Sequence, residues 1–338
     1  MMNFSKTIAK IEDGVHKGIV PGASYSIIDG TDQIDEHLGF QELTPERQLL
    51  QDNETYDLAS LTKVVGTTNV ILQLINEHKI NVDDSISKYL PEWKSPEVTI
   101  RNLLTHTSDI VGYIPHRNEL PKNQLIKAEL GLSSGDKRSQ VLRYQDTNFL
   151  FLGWIASKIL GKPIHQLIKE RVLEPLGLTE TTFAPRDISR VVPTQIVPGK
   201  GLLRGTVHDP KTQVLQEDSG AAGLFSTQLD LAKFLRFILG ENRELTRAVL
   251  SDECLGSLFV DQTPTQIGIR SFGWVLTKYD DQPIILHTGY TGTLLIVDRH
   301  NHRGLVYLSN RVHPQVNGEP FLKYRSELIH TFMAESNK

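Results

Sequence analysis

The chain carries a single cysteine, Cys254, among its 338 residues. One thiol can form neither an intramolecular disulfide nor a cysteine-based zinc site. Nothing around it in Leu250-Ser-Asp-Glu-Cys-Leu would lower its pKa, so it reads as a structural side chain. An excess of charge of either sign is also missing. The 36 Lys and Arg stand against 40 Asp and Glu, a formal net charge of −4, so nothing suggests nucleic acid or an anionic membrane as partner. No apolar run approaches the ~18–20 residues of a membrane-spanning helix. The opening Met1-Met-Asn-Phe-Ser-Lys-Thr has neither an apolar stretch nor a small-residue cleavage site, which makes a cytoplasmic location the expectation. The sequence lacks a glycine-rich phosphate loop, a G-x-S-x-G elbow and any His/Asp/Glu spacing typical of zinc ligands. No metal or cofactor is therefore expected.

What is present is a nucleophile in a particular setting. In Asp57-Leu-Ala-Ser-Leu-Thr-Lys-Val, Ser60 stands one helical turn before Lys63. Residues at i and i+3 share a helix face, so hydroxyl and amine can meet. The positive end of a helix favours negative charge developing on such a serine. A lysine beside it can take the hydroxyl proton if burial or a neighbouring cation lowers its pKa. Alone, the tetrapeptide is weak evidence and fits a solvated lysine on an amphipathic helix better. Two later features add weight: Tyr144-Gln145-Asp146, followed by Thr147-Asn148 and an apolar run, and His287-Thr288-Gly289, which closes the run Pro283-Ile-Ile-Leu.

Periodicity predicts a first amphipathic helix over residues 4–18 and a hairpin through Gly22–Gly30 and Asp32–Phe40, split by an Asp29-Gly30 turn. The Ser60 helix should run to about His78. From about 80 to 205 the chain reads as helical patches punctuated by proline and glycine. A Ser/Thr cap from Ser226-Thr227 and the closing Gly240 bracket a helix, and another is expected over Thr246–Phe259. Three β-like runs follow, at Phe272–Tyr279, Gly292–Asp298 and Gly304–Ser309, with His300 and His302 as turn residues and a last helix from Glu319. The expected fold class is α/β (α+β). An antiparallel sheet flanked by helices is built from residues 1–79 and 206–338, and a mainly helical insertion domain spans 80–205. A site between them would collect residues from all three segments.

With those blocks in place, the chain resembles the serine β-lactamase and penicillin-binding-protein superfamily. The branch is that of class C β-lactamases, D-Ala-D-Ala carboxypeptidases, D-aminopeptidases and β-lactamase-fold esterases. The resemblance runs through Asp57-Leu-Ala-Ser-Leu-Thr-Lys, Thr99-Ile-Arg-Asn-Leu-Leu-Thr-His-Thr-Ser, Tyr144-Gln-Asp-Thr-Asn-Phe, Glu174-Pro-Leu-Gly-Leu, Ala222-Gly-Leu-Phe-Ser-Thr and His287-Thr-Gly-Tyr-Thr-Gly. It implies Ser60 as nucleophile, Lys63 as proton acceptor or relay, and Tyr144 as the partner that protonates the leaving group. Asp146 would bond Lys63 or the substrate amide. His287, Thr288 and Gly289 would line the strand edge facing substrate. The backbone N–H groups of Ser60 and Tyr290 would form an oxyanion hole.

Two departures stand out. His287 replaces the lysine that β-lactamases place before Thr-Gly, so a group able to change charge near neutral pH replaces a permanent cation. Asp109 stands where the family commonly has glycine, which reads as a local loop difference. His106 reads as structural. The expected activity is therefore hydrolysis of a small ester or amide through an acyl-Ser60 intermediate, with a small molecule or peptide as substrate. A D-Ala-D-Ala carboxypeptidase comes second and a class C-like β-lactamase third. A non-catalytic binding module on the same fold is the reading from another class, and the intact Ser60, Lys63 and Tyr144 argue against it.

Overall fold

The computed structural model describes residues 4–241 and 243–336. Its centre is a seven-stranded antiparallel sheet. The strands are β1 (Gly22–Asp29), β2 (Asp32–Glu42), β3 (Gln48–Leu49), β4 (Val275–Tyr279), β5 (Gln282–Thr288), β6 (Leu294–Asp298) and β7 (Arg303–Ser309), in the order β4-β5-β6-β7-β1-β2-β3. The Asp29-Gly30 turn makes the expected hairpin, with Asp29 opposite Asp32 and Gly30 at φ +57°. Pairing of β1 with β7, from Ala23 opposite Ser309 to Asp29 opposite Arg303, joins the two ends of the chain.

The C-terminal meander has four strands, not the three read from sequence. The run holding Pro283 is itself β5, between β4 and β6. Pro283 lies opposite Lys278 of β4, while pairing with β6 begins only at Ile285. Its missing N–H therefore faces no second neighbour, and a proline is tolerated there.

Eleven helices are described. They are α1 (Ser5–His16), α2 (Thr68–Asn76), α3 (Ile100–Leu104), α4 (Lys122–Leu130), α5 (Asp146–Leu160), α6 (Ile164–Ile168), α7 (Pro210–Leu215), α8 (Gln228–Leu239), α9 (Arg243–Val249), α10 (Asp252–Ser257) and α11 (Glu319–Ser336). The expected helix over Thr246–Phe259 is broken into α9 and α10, because Ser251 leaves the helix to cap α10 through Cys254 N. Of the Ser226-Thr227 pair it is Thr227 that caps α8, accepting from Asp230 N, and Gly240 ends the helix at φ +82° as read.

Alternation along the strands divides the apolar side chains between two cores. Tyr25, Ile27, Ile296, Leu305 and Tyr307 face Phe4, Ile11, Phe321, Leu328 and Phe332 of the terminal segments. Ile28, Leu295, Val297, Val306 and Leu308 face Leu231, Phe234 and Leu235 of α8, and that core continues into α2, α3 and α5. The nucleophile helix thus shares a core with the sheet.

Phe4, the N-cap of α1, offers no side-chain acceptor. Glu335 at the end of α11 fills the gap: its Oε1 accepts from Lys6 N at 2.9 Å, and its Oε2 accepts from Thr7 N and Thr7 Oγ1, both at 2.7 Å. A carboxylate at a helix N-terminus is favoured by the dipole as well as by the bonds. Glu335→Ala should lower stability by about 1–2 kcal/mol, read as a reduced urea midpoint at unchanged m-value.

Candidate active site

Ser60 sits at a sharp turn between the two-residue strand Tyr56–Asp57 and the helix that leads into α2. Ala59, just before it, holds φ +46°, a left-handed conformation that needs outside support. Asp57 supplies that support. Its Oδ1 accepts from Ala59 N at 2.8 Å and its Oδ2 from His208 N at 2.6 Å. Burial pushes the Asp57 carboxyl up to about 6, while the two backbone bonds work in the opposite direction.

Lys63 opens a π-helical turn, Lys63–Thr67, which widens the helix beneath the serine. Asn69 Nδ2 donates to Val64 O and Val65 O, both at 2.9 Å, and satisfies carbonyls that the widened turn leaves over. The Lys63 side chain is wholly buried. Its ammonium donates to Ser60 Oγ at 2.9 Å, Asp146 Oδ1 at 2.9 Å and Ala221 O at 2.8 Å, which uses all three N–H groups. Burial alone would depress the lysine. The carboxylate of Asp146, with help from Tyr144, overcomes it and holds Lys63 above its ordinary range. The lowered lysine that the sequence invited is thus replaced by a well-held cation.

Asp146 begins α5 and is shared. Its second oxygen accepts from Lys211 Nζ at 2.8 Å, and Lys211 also pairs with Asp209 Oδ2 at 3.3 Å. Burial would raise the Asp146 carboxyl, but Lys63 and Lys211 together hold it far below the usual carboxylate range.

A cleft of about 630 Å³ opens above this network. Ser60, Tyr144, Asp146, His287, Thr288, Gly289 and Tyr290 all line it, so every residue singled out from sequence comes together, with Lys63 beneath. Tyr144 comes from the segment just before α5 and rests on His106, ring centroids 4.4 Å apart. His106 is buried, with Nδ1 2.9 Å from Asn148 Nδ2, and serves as a buttress. Asp109 holds φ +49°, which is the conformation a glycine would supply freely.

The turn after β5 is tied to the Ser60 turn by Thr291 Oγ1 to Asp57 O at 2.7 Å and Thr293 Oγ1 to Leu58 O at 3.1 Å. Gly289 permits the approach, because a Cβ there would lie 2.6 Å from Leu58 O. Arg311 braces the same turn, donating from Nε to Tyr290 O at 2.6 Å.

His287 departs from expectation. It is 2% exposed and neither ring nitrogen has a hydrogen-bond partner. Burial first, then Arg270 and Lys63, keep it well below the ordinary histidine range, so it stays neutral where charge switching was expected. The permanent cation is supplied elsewhere. Arg270, 6% exposed, lines the cleft with Nη1 unbonded and no carboxylate partner among the described residues. Its guanidinium carbon lies 5.6 Å from the Tyr144 ring centroid, a cation–π contact that offsets only part of the desolvation. Burial lowers it to about 10, so it remains charged at neutral pH. Sequence reasoning missed Arg270 and Lys211. The first sits in an irregular stretch without a motif. The second follows a legible helix start, Asp209-Pro210, but nothing in the sequence shows where its side chain points.

A Ser–Lys pair hydrogen-bonded beneath a cleft, on a sheet of this topology beside a helical segment, defines a serine hydrolase of the β-lactamase fold. The chain belongs to the Beta-lactamase family, whose model matches residues 7–325. It is 28% identical over 314 residues to the Escherichia coli K12 protein named "Putative D-alanyl-D-alanine carboxypeptidase", a match covering 77% of this chain and 70% of that protein. Its fold is that of the octameric penicillin-binding protein homologue from Pyrococcus abyssi (TM-score 0.76, 21% identity, 97% of this chain and 78% of that one). The class C β-lactamase from Rhodobacter sphaeroides shares it too (TM-score 0.72, 17% identity, 97% and 99%).

The neutral His287 has a measurable consequence. Its folded-state pKa lies below its unfolded value, so below about pH 6.5 the unfolded chain takes up a proton that the folded chain does not. Stability should fall with pH there. His287→Gln should remove this share, making the loss between pH 6.5 and 5 shallower by about 1.4 kcal/mol per pH unit in urea titrations. Equal slopes in both proteins would show that His287 titrates normally.

Proposed function

We propose that this enzyme hydrolyses an ester or amide through an acyl-Ser60 intermediate, and that its substrate carries a carboxylate read by Arg270. The observation behind the first part is the 2.9 Å bond between Lys63 Nζ and Ser60 Oγ inside the cleft. In the proposed reaction the Lys63–Tyr144 unit has first given up one proton; Ser60 Oγ then bonds to the carbonyl carbon, the C=O π pair moves to the oxygen, and the serine proton passes into that unit. The Lys63 ammonium stabilises the negative charge that forms. The N–H groups of Ser60 and Tyr290 would receive the oxyanion, each contributing ~3 kcal/mol if comparable to a measured oxyanion donor. The bond to the leaving group breaks as that group takes the proton, and water reverses the sequence to release the acid. Lys63 and Tyr144 exchange protons as a pair, so neither needs to be the base alone. The segment 80–205, proposed as a helical insertion into the sheet domain, brings Tyr144 and Asp146 to this reaction.

The choice of substrate rests on Arg270. A buried cation without an anion is unfavourable, and a cleft that keeps one is complementary to a carboxylate. Arg325 and Arg311 on the same cleft add positive charge. This ranks a peptide with a free C-terminal carboxylate, the substrate class named for the Escherichia coli relative, above a neutral ester. It reverses the order that His287 suggested from sequence, since the cation has moved rather than vanished.

A fluorophosphonate should label the wild type on the peptide containing Ser60, and Ser60→Ala should abolish both labelling and turnover. Arg270→Met should lower kcat/KM for a D-Ala-D-Ala peptide or an acidic ester by about 10- to 100-fold, the worth of one charged hydrogen bond. A neutral nitrophenyl acetate should change less than about threefold. Equal losses on both substrates would return the enzyme to the neutral-esterase reading.

A further inference from the structure

The reaction scheme leaves Lys211 without a role, although a lysine so deeply placed is unusual. It is 7% exposed, stands in the first turn of α7 behind Pro210, and reaches Asp146 rather than solvent. Together with its neighbours it completes a line of alternating charge: Ser60 Oγ, Lys63, Asp146, Lys211, Asp209, every link between 2.8 and 3.3 Å. The two lysines balance the two aspartates.

We propose that Lys211 is a positioning residue that neutralises Asp146, so that this carboxylate orients Lys63 without opposing the negative charge that forms on Ser60. The inference rests on the acyl-Ser60 reading. Its physics is simple. Asp146 is needed where it is, because Lys63 must be paired to lie buried. Unshared, however, a carboxylate in contact with Lys63 would hold the proton-transfer unit in its protonated form. A second cation on its far oxygen splits the attraction, and both carboxylate oxygens stay fixed.

Other charged groups face this line. Tyr144 and Arg270 stand on the cleft side, and neutral His106 and His287 lie close by. Glu129 of α4 and Arg117 act on Lys211 or Asp146 from the helical segment. Glu129 is engaged with Thr147 Oγ1 at 2.8 Å, and burial, its largest influence, raises its carboxyl. Lys211 is the cation that bonds the free oxygen of Asp146 directly.

Removing a cation raises the pH at which the Lys63–Tyr144 unit gives up a proton, whichever member holds it. The test is the rate of Ser60 labelling by a neutral fluorophosphonate between pH 5 and 10, which bypasses Arg270 and substrate choice. Lys211→Met and Lys211→Gln should each move the rising limb upward by about one to two pH units, the usual effect of one nearby charge. Lys211→Arg should restore the wild-type limb. A structural role would lower rates alike at every pH, or in all three variants, and that result overturns the proposal. A limb unchanged in Lys211→Gln overturns it as well, and Lys211→Gln decides the matter should Lys211→Met fail to fold. Absence of labelling in the wild type would instead sink the acyl-Ser60 reading, so the two failures are told apart.

Discussion

A fully buried ammonium must be given everything water would have given it, and much of this site follows from that demand on Lys63. Each of its three N–H groups has a partner, and the partners come from three separate stretches: the Ser60 turn, the start of α5 and the Gly220–Gly223 loop. Pairing the cation therefore assembles the site. Gly220 shows how tight the fit is, since a Cβ there would lie 2.4 Å from Phe149 O. Breaking such a buried pair by removing one partner typically costs about 3–5 kcal/mol. The same contacts that orient the nucleophile thus help to hold the helical segment against the sheet.

The second constraint is backbone strain at Ala59. A left-handed alanine is held only where its surroundings over-determine it. Here Asp57 bonds the Ala59 amide and ties the turn to His208 N, and Thr291 and Thr293 pin the same stretch to the turn after β5. The strand edge bearing His287 and Thr288 is thereby held opposite Ser60.

Much of the fold was legible because it rests on short-range chemistry. The Asp29-Gly30 turn, the Ser/Thr cap and the Gly240 stop each act within a few residues, and each is found as read. The seam between α9 and α10 was missed because Ser251 fits a helix interior in pattern but works as a cap. The apolar run Pro283-Ile-Ile-Leu was not read as a strand of its own, and only the register shows that Pro283 needs no second neighbour in β5. At the site, spacing brought Ser60 and Lys63 together on paper, but spacing carries no information on burial. The neutrality of His287, the persistent charge of Lys63 and the unpaired Arg270 are all burial effects. Each depends on residues distant in sequence, and none has a local signature.

Histidine at 287 and arginine at 270 make a single physical point. A lysine at 287 would place another cation beside Arg270 and Lys63, whose charges already act on this position, in a pocket that seals it from water almost completely. Repulsion from those neighbours would then oppose the charged state on which its use depends. Arg270, bridged to Val275 of β4, carries the cleft's cation instead. Its charge is spread over a planar group, it can lie against Tyr144, and its high intrinsic pKa tolerates burial that lowers it to about 10. The neutral histidine then fills space beside the tyrosine without adding charge, ring centroids 6.1 Å apart. Exchanging lysine for histidine at the strand edge therefore does not signify a loss of anion recognition, because the charge sits where the surrounding electrostatics permit it.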